Sequence, residues 1–230
     1  DQQLERIIGM TMREAGGDFL RDFKELDGYR VLAGDGHNIA HSSHAKKDHK
    51  GNDQPVSTIY LKDLRTGLTP PFAPVSGDGH RRHEMPVFRR TLKDHEEQYG
   101  EGAGTIFVLD RAYIDGAFWK PNWDRGRKKV NRHVITRPKE NMTPTCCGEI
   151  DFDREDPVNA GVTSVWSAGF SAGCGLMYVV EFIDSEKQES YSFLTTLCPD
   201  GKTIRPGTIA YLYFLRWRIE KTFDTFKNDF

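Results

Sequence analysis

The segment Pro206-Gly-Thr-Ile-Ala-Tyr-Leu-Tyr213-Phe-Leu-Arg216-Trp217-Arg-Ile-Glu220-Lys-Thr-Phe223-Asp-Thr-Phe226-Lys227-Asn228 decides how this chain is read. Proline carries a helical φ and lacks the N–H that a first turn leaves unused, so Pro206 opens a helix that the pattern extends to about Asn228. Leu212, Leu215, Ile219, Phe223, Phe226 and Phe230 fall on one stripe at helical period, and that stripe is the candidate core face. Tyr213, Arg216, Glu220 and Lys227 form a second stripe beside it, spread over about 60° at 100° per residue. Two explanations stay open on helix geometry alone. The stripe is either a functional face or a solvent face on which Arg216 and Glu220 pair one turn apart.

Outward from this helix, the clearest buried strand is Thr105-Ile-Phe-Val-Leu-Asp110, four apolar residues in a row with Gly104 in front and an acid behind. Tyr29-Arg-Val-Leu-Ala-Gly-Asp35 is a second strand-like run ending in an acid, followed by a polar loop over 37–54. We expect a helix in two pieces over 3–26, a strand over 57–61, a connection over 68–79 and a helix over 86–99. A short helix after Asp110 and a strand over 132–137 come next. From 145 to 198 the pattern changes to β-type runs, the best at 176–183 and 191–197. We therefore expect one domain over 1–230, with a core at 27–144 and 199–230 and a β-rich insertion at 145–198.

An acid at the end of an apolar strand projects into a cleft at the sheet edge, so Asp35 and Asp110 are candidate site residues. If the Glu220 helix packs on that sheet, three carboxylates converge. Such a cluster cannot stay fully ionised without cations. Hard divalent ions such as Mg²⁺ or Mn²⁺ resolve the conflict, since they favour oxygen ligands. Asp115 is the rival second acid, but it falls in the turn after the strand instead of at its end.

The spacing Tyr213, Arg216, Glu220, Lys227 resembles the Tyr-Arg-Glu-Lys signature of DDE transposases from bacterial insertion sequences. Leu109-Asp110-Arg111-Ala112-Tyr113 resembles that family's second-acid motif, and Ala33-Gly34-Asp35-Gly36 its first. The resemblance implies a ribonuclease H-like α/β fold: a mixed sheet flanked by helices, with a β-rich insertion before the last catalytic helix. It implies Asp35, Asp110 and Glu220 as catalytic, metal-binding residues for two Mg²⁺ or Mn²⁺ ions. It also implies Tyr213, Arg216 and Lys227 as DNA contacts. Arg111 joins them from the basic strip described below. Trp217 either stacks on an unpaired base near the cleavage site or packs at the core edge. The implied partners are double-stranded DNA, as transposon ends and target, and a second copy in a homodimer. The implied setting is the bacterial cytoplasm, at the nucleoid.

Composition agrees with a soluble folded protein. Of 230 residues, 32 are Lys or Arg and 34 are Asp or Glu, giving a net charge of −2; 37% are hydrophobic and 29% charged. That balance speaks against a membrane protein, and the least charged stretch, 159–180, is interrupted by Gly and Ser. Fourteen Phe, eight Tyr and four Trp supply mass for a core. Charge is unevenly laid out. Nine Lys or Arg between positions 111 and 139 face two acids, a strip suited to phosphate backbone, while five acids gather at 149–156. Cys146, Cys147, Cys174 and Cys198 show no disulfide framework and are expected as reduced thiols. His37, His41, His44 and His49 cluster after the first acid, but their spacing matches no standard zinc pattern, and a mobile loop near DNA is the preferred reading. The missing initiator Met and the helical pattern running to Phe230 suggest an excerpt of a longer protein. The rival functions are a ribonuclease H-like nuclease without strand transfer and an inactive or domesticated DNA-binding descendant.

Overall fold

The computed structural model describes residues 18–39, 56–69, 71–75, 84–99, 104–119, 132–169 and 177–229. Nine strands form one continuous sheet: β1 (Arg30–Ile39), β2 (Val56–Asp63), β3 (Pro71–Val75), β4 (Thr105–Leu109), β5 (Arg132–Thr136), β6 (Thr145–Glu149), β7 (Val162–Gly169), β8 (Met177–Asp184) and β9 (Glu189–Thr195). Their order across the sheet is β3-β2-β1-β4-β5-β9-β8-β7-β6. β1, β4 and β5 run parallel at the centre, and every other pairing is antiparallel. The helices are α1 (Glu84–Tyr99), the single turn α2 (Gly116–Trp119) and α3 (Pro206–Asp229). The result is the α/β, ribonuclease H-like mixed sheet flanked by helices that the motifs led us to expect.

Alternation along the strands sorts the core into two layers. Val31, Ala33, Ile106, Val108, Ile135 and Phe193 point to one face, where Leu212, Tyr213 and Leu215 of α3 cover them. Leu32, Phe107, Leu109, Val134 and Leu194 point to the other, against Phe88 of α1, Tyr113 and Trp119. A central sheet buried on both faces needs near-continuous apolar strands, which is why β4 reads as Ile-Phe-Val-Leu with no polar alternation.

The N-terminus of α3 is anchored with unusual density. Asn159 Oδ1 accepts from the Gly207 N–H at 2.9 Å, and Thr208 Oγ1 donates to Glu25 Oε1 at 2.7 Å. Arg205 forks onto Glu25 at 2.7 and 3.1 Å and reaches Asp156 at 3.4 Å. Burial by itself would raise the Glu25 pKa, but the hydrogen bonds from Arg205 and Thr208 outweigh it and leave it lowered. These contacts fix where the rest of α3 lies across the sheet.

Four expectations are corrected. The second piece of the 3–26 helix is absent: 18–26 is a turn ending in the 3-10 turn Lys24–Leu26. Leu20 and Leu26 are fully buried there, and Arg65 ties Asp18 and the Leu26 carbonyl together, so tertiary contacts override the local period. The 68–79 connection contains β3, whose Pro71 and Pro74 are tolerated because β3 is the edge strand. β1 continues to Ile39, so 37–39 are strand and not the loop expected there, and Asp35 lies within the strand instead of at its end. The helix expected from Pro86 starts at Glu84, with Pro86 in its first turn. Residues 1–17, the rest of the His-rich segment at 40–55, and Cys174 lie outside the described residues. Cys146, Cys147 and Cys198 are free thiols.

Two predictions follow from this packing. A Cβ on Gly207 would lie 1.7 Å from the Val158 carbonyl oxygen, so Gly207→Ala should destabilise by about 3 kcal/mol or more in urea unfolding. His133 is packed between Tyr29 and Thr196, and burial pulls its pKa down to about 4. Neutral above pH ~6.5 in both states, it costs nothing there; as pH falls the unfolded chain is protonated first, so stability drops until about pH 4. His133→Leu should remove that loss, on the order of 3 kcal/mol, when unfolding midpoints at pH 7 and pH 4 are compared.

Candidate active site

The register of the parallel strands builds the site. β1 and β4 pair from Arg30↔Thr105 to Gly34↔Leu109, and β4 and β5 from Thr105↔Arg132 to Val108↔Ile135. Continuing that register past the last pairs brings Asp35, Asp110 and Arg137 into one row. Neighbouring strands lie about 4.8 Å apart, so the row is compact. Alternation then turns all three toward the α3 face of the sheet. Asp35 therefore stands at the point where β4 ends beside a β1 that runs on.

α3 crosses this row. Asp35, Asp110, Arg111, Arg137, Tyr213, Arg216 and Trp217 line one cleft of about 450 Å³. Arg216 is only 5% exposed and places Nη1 3.4 Å from Asp35 Oδ2. A buried guanidinium beside a carboxylate offsets the cost of placing two acids side by side. Each Asp also accepts from the next backbone N–H: Asp35 Oδ1 from Gly36 at 2.9 Å, Asp110 Oδ1 from Arg111 at 2.6 Å. Tyr213 is buried under Arg216, whose guanidinium carbon lies 5.3 Å from the ring centre. Burial holds the Tyr213 hydroxyl above its ordinary pKa; Arg216 opposes this and Asp110 adds to it, and the group stays a neutral donor.

Of the two roles left open for Trp217, the structure has the packing at the core edge, beside the cleft. Its ring packs on Phe214 and Tyr191, with centroids 5.5 and 6.4 Å away, while its edge lines the cleft; Lys187 Nζ sits 5.3 Å from the ring centre. Arg111 is half exposed and pairs with Glu140 at 2.9 Å. A second cleft of about 470 Å³ continues from Asp110 and Arg111 along Lys139 and Asn141. Glu220 follows Arg216 by one helical turn and Lys227 by three, both within α3; their side chains lie outside the described residues. Among the described residues, no three acidic, His or Cys side chains gather as a metal site. Asp115 is accounted for otherwise: it caps α2 through the Phe118 N–H and pairs with Arg89.

Arg137 was counted in the basic strip but not singled out for the site. Its signal was available, since it follows β5 as Asp110 follows β4. Arg132, from the same strip, lies over the Phe118 ring on the opposite layer, and 120–131 is outside the described residues.

The site is thus a pair of acids beside the end of β4, under a helix that bears Arg216. The chain belongs to the transposase DDE domain family, whose model matches residues 26–230. No curated protein matches it. Transposases of this family act on DNA and generally use divalent metal ions. The donors present suit such ions: both acids offer hard oxygen ligands into an open cleft, and Asp110 Oδ2 takes no hydrogen bond from the described residues. Among the described residues no helix is long and apolar enough to cross a membrane.

Proposed function

We propose that this chain is the catalytic domain of an insertion-sequence transposase that cuts a phosphodiester at the element end and joins the freed 3′-OH to target DNA. The observation that carries the reading is the juxtaposition of Asp35, within β1, and Asp110, just past the end of β4, roofed by the helix that bears Tyr213, Arg216 and Glu220. Asp35, Asp110 and Glu220 would hold two Mg²⁺ or Mn²⁺ ions, which supply activation of the attacking oxygen and stabilisation of the leaving one when bound. In the first step a water oxygen attacks phosphorus in line and the bond to the 3′ oxygen breaks. In the second the 3′ oxygen attacks a target phosphodiester and displaces another 3′ oxygen. Both are phosphoryl transfers with one charge distribution, so one site serves both.

The chain's own residues supply position and charge. Arg216 holds Asp35 in place and leaves its guanidinium facing the cleft, where a scissile phosphate would meet it. Arg111 and Arg137 flank the acids and would bear adjacent phosphates, with Lys227 further along α3. Tyr213 donates from beneath, and Trp217 offers its edge to an unpaired base. Strands β6–β9 are the proposed insertion, at 145–198, within one catalytic domain. A homodimer on paired ends, working on nucleoid DNA in a bacterial cytoplasm, follows from the resemblance and from the need to join two ends.

The test is Mn²⁺ calorimetry on the full chain with a DNA duplex carrying a free 3′-OH. Asp110→Asn and Glu220→Gln should each weaken Mn²⁺ binding at least about tenfold and cut strand-joining by about a thousandfold. Binding indifferent to both substitutions would sink the catalytic reading. Arg137→Ala should lower duplex affinity severalfold and reduce the slope of log K against log salt by about 1, as expected for one lost phosphate contact. An unchanged slope would remove Arg137 from the DNA face.

A further inference from the structure

The cleft does not account for one partly buried polar pair on the other face of the sheet, Glu84 and Tyr113. Glu84 opens α1, where a carboxylate is favoured by the helix dipole. Its carboxylate occupies the space a side chain at position 36 would need: a Cβ on Gly36 would lie 1.8 Å from Oε1 and 2.6 Å from Oε2. A side chain at position 36 would therefore displace the Glu84 carboxylate from this place. Gly34 is crowded in the same way, with Leu109 Cδ2 2.5 Å from a Cβ built on it. Asp35 lies between two glycines whose missing side chains would face the α1 layer, while its own carboxylate faces the α3 layer.

The same Glu84 carboxylate reaches the second acid's turn. Tyr113 Oη donates to Glu84 Oε2 at 2.6 Å. Tyr113 is 1% exposed, and its carbonyl accepts from Trp119 Nε1 at 3.1 Å. It ends the 3-10 turn Arg111–Tyr113, whose first N–H is capped by Asp110 itself. One side chain therefore touches the strand that bears Asp35 and, through a charge-assisted hydrogen bond, the turn that Asp110 caps.

We infer that Glu84 and Tyr113 form a brace behind the sheet that sets the position of Asp35 relative to Asp110. Glu84 does not line the cleft and touches no reacting atom, so both are positioning residues. Burial, followed by the nearby Glu84 charge, raises the Tyr113 pKa well above the ordinary phenol value; Asp35 and Asp110 add to it, and the brace keeps its proton. Two carboxylates that share a hard cation must hold their oxygens within a few tenths of an ångström of the coordinating geometry. Supporting groups of this kind are commonly worth about 10- to 100-fold in metal affinity.

The inference rests on the proposed metal-binding role of Asp35 and Asp110, and the experiment separates the two. Mn²⁺ affinity is measured by calorimetry on the full chain with the 3′-OH duplex, alongside thermal unfolding, for wild type, Asp110→Asn, Tyr113→Phe, Glu84→Ala and Glu84→Gln. Tyr113→Phe and Glu84→Ala should weaken Mn²⁺ about tenfold or more without changing duplex affinity. Glu84→Gln keeps an oxygen to accept from Tyr113 and should recover part of the loss, which a merely structural role would not require. If Tyr113→Phe does not fold, the isosteric Glu84→Gln against Glu84→Ala carries the comparison. Mn²⁺ binding that Asp110→Asn weakens, but that folded Tyr113→Phe and Glu84→Ala leave within about twofold of wild type, overturns the brace alone. Binding that Asp110→Asn does not change overturns the proposed function, and the brace with it.

Discussion

Two carboxylates stand side by side where the parallel pairing of β1 and β4 ends at Gly34 and Leu109. Everything around them answers the electrostatic cost of that placement. Arg216 comes down from α3 to Asp35, each acid takes a hydrogen bond from the backbone next to it, and Arg111 and Arg137 flank the pair. Two acids and three arginines line the cleft, so the acids lie in a cationic surround. Charges and dipoles fixed in this way before a ligand arrives need no reorganisation when it binds.

The helix that supplies Arg216 depends in turn on contacts far from the cleft. Its first turn is held by Asn159, Glu25 and Arg205, with Asp156 behind. Asn159 and Asp156 belong to the segment between β6 and β7, so the strands beyond β5 do more than extend the sheet. They carry the fixed end of the lever that carries Arg216. β9 also brings Tyr191 and Phe193 under α3, where Phe214 and Trp217 pack on them. The α3 side of the site and the added strands form one packed layer.

The legibility of each element follows from how local its causes are. β4 was readable because a strand buried on both faces must be apolar without interruption. α3 was readable because Pro206 and one long period act within a single helix. β3 was hidden by Pro71 and Pro74, which only the knowledge of an edge position makes acceptable. The 18–26 segment misled because Phe19, Phe23 and Leu26 have helical spacing but the segment is held in a turn by Arg65, a partner distant in the chain. In the site, Asp110 could be chosen over Asp115 from its place directly after the strand. Asp35 was found as an acid but misplaced as a strand end, since the extra length of β1 comes from pairing with β2.

By itself the sequence determined the angular alignment of Tyr213, Arg216 and Glu220 on one helix, the apolar run ahead of Asp110, and the glycines on either side of Asp35. These are short-range properties, set by helical period and strand alternation within one element. Only the tertiary structure decided that Asp35, Asp110 and Arg137 form a row, that Arg216 meets Asp35, and that Glu84 lies behind Gly36. Those facts depend on strand register and on which layer each helix covers. Register is chosen by the sum of many pairings across the sheet, and a slip of one residue in β1 or β4 would turn that strand's acid away from α3.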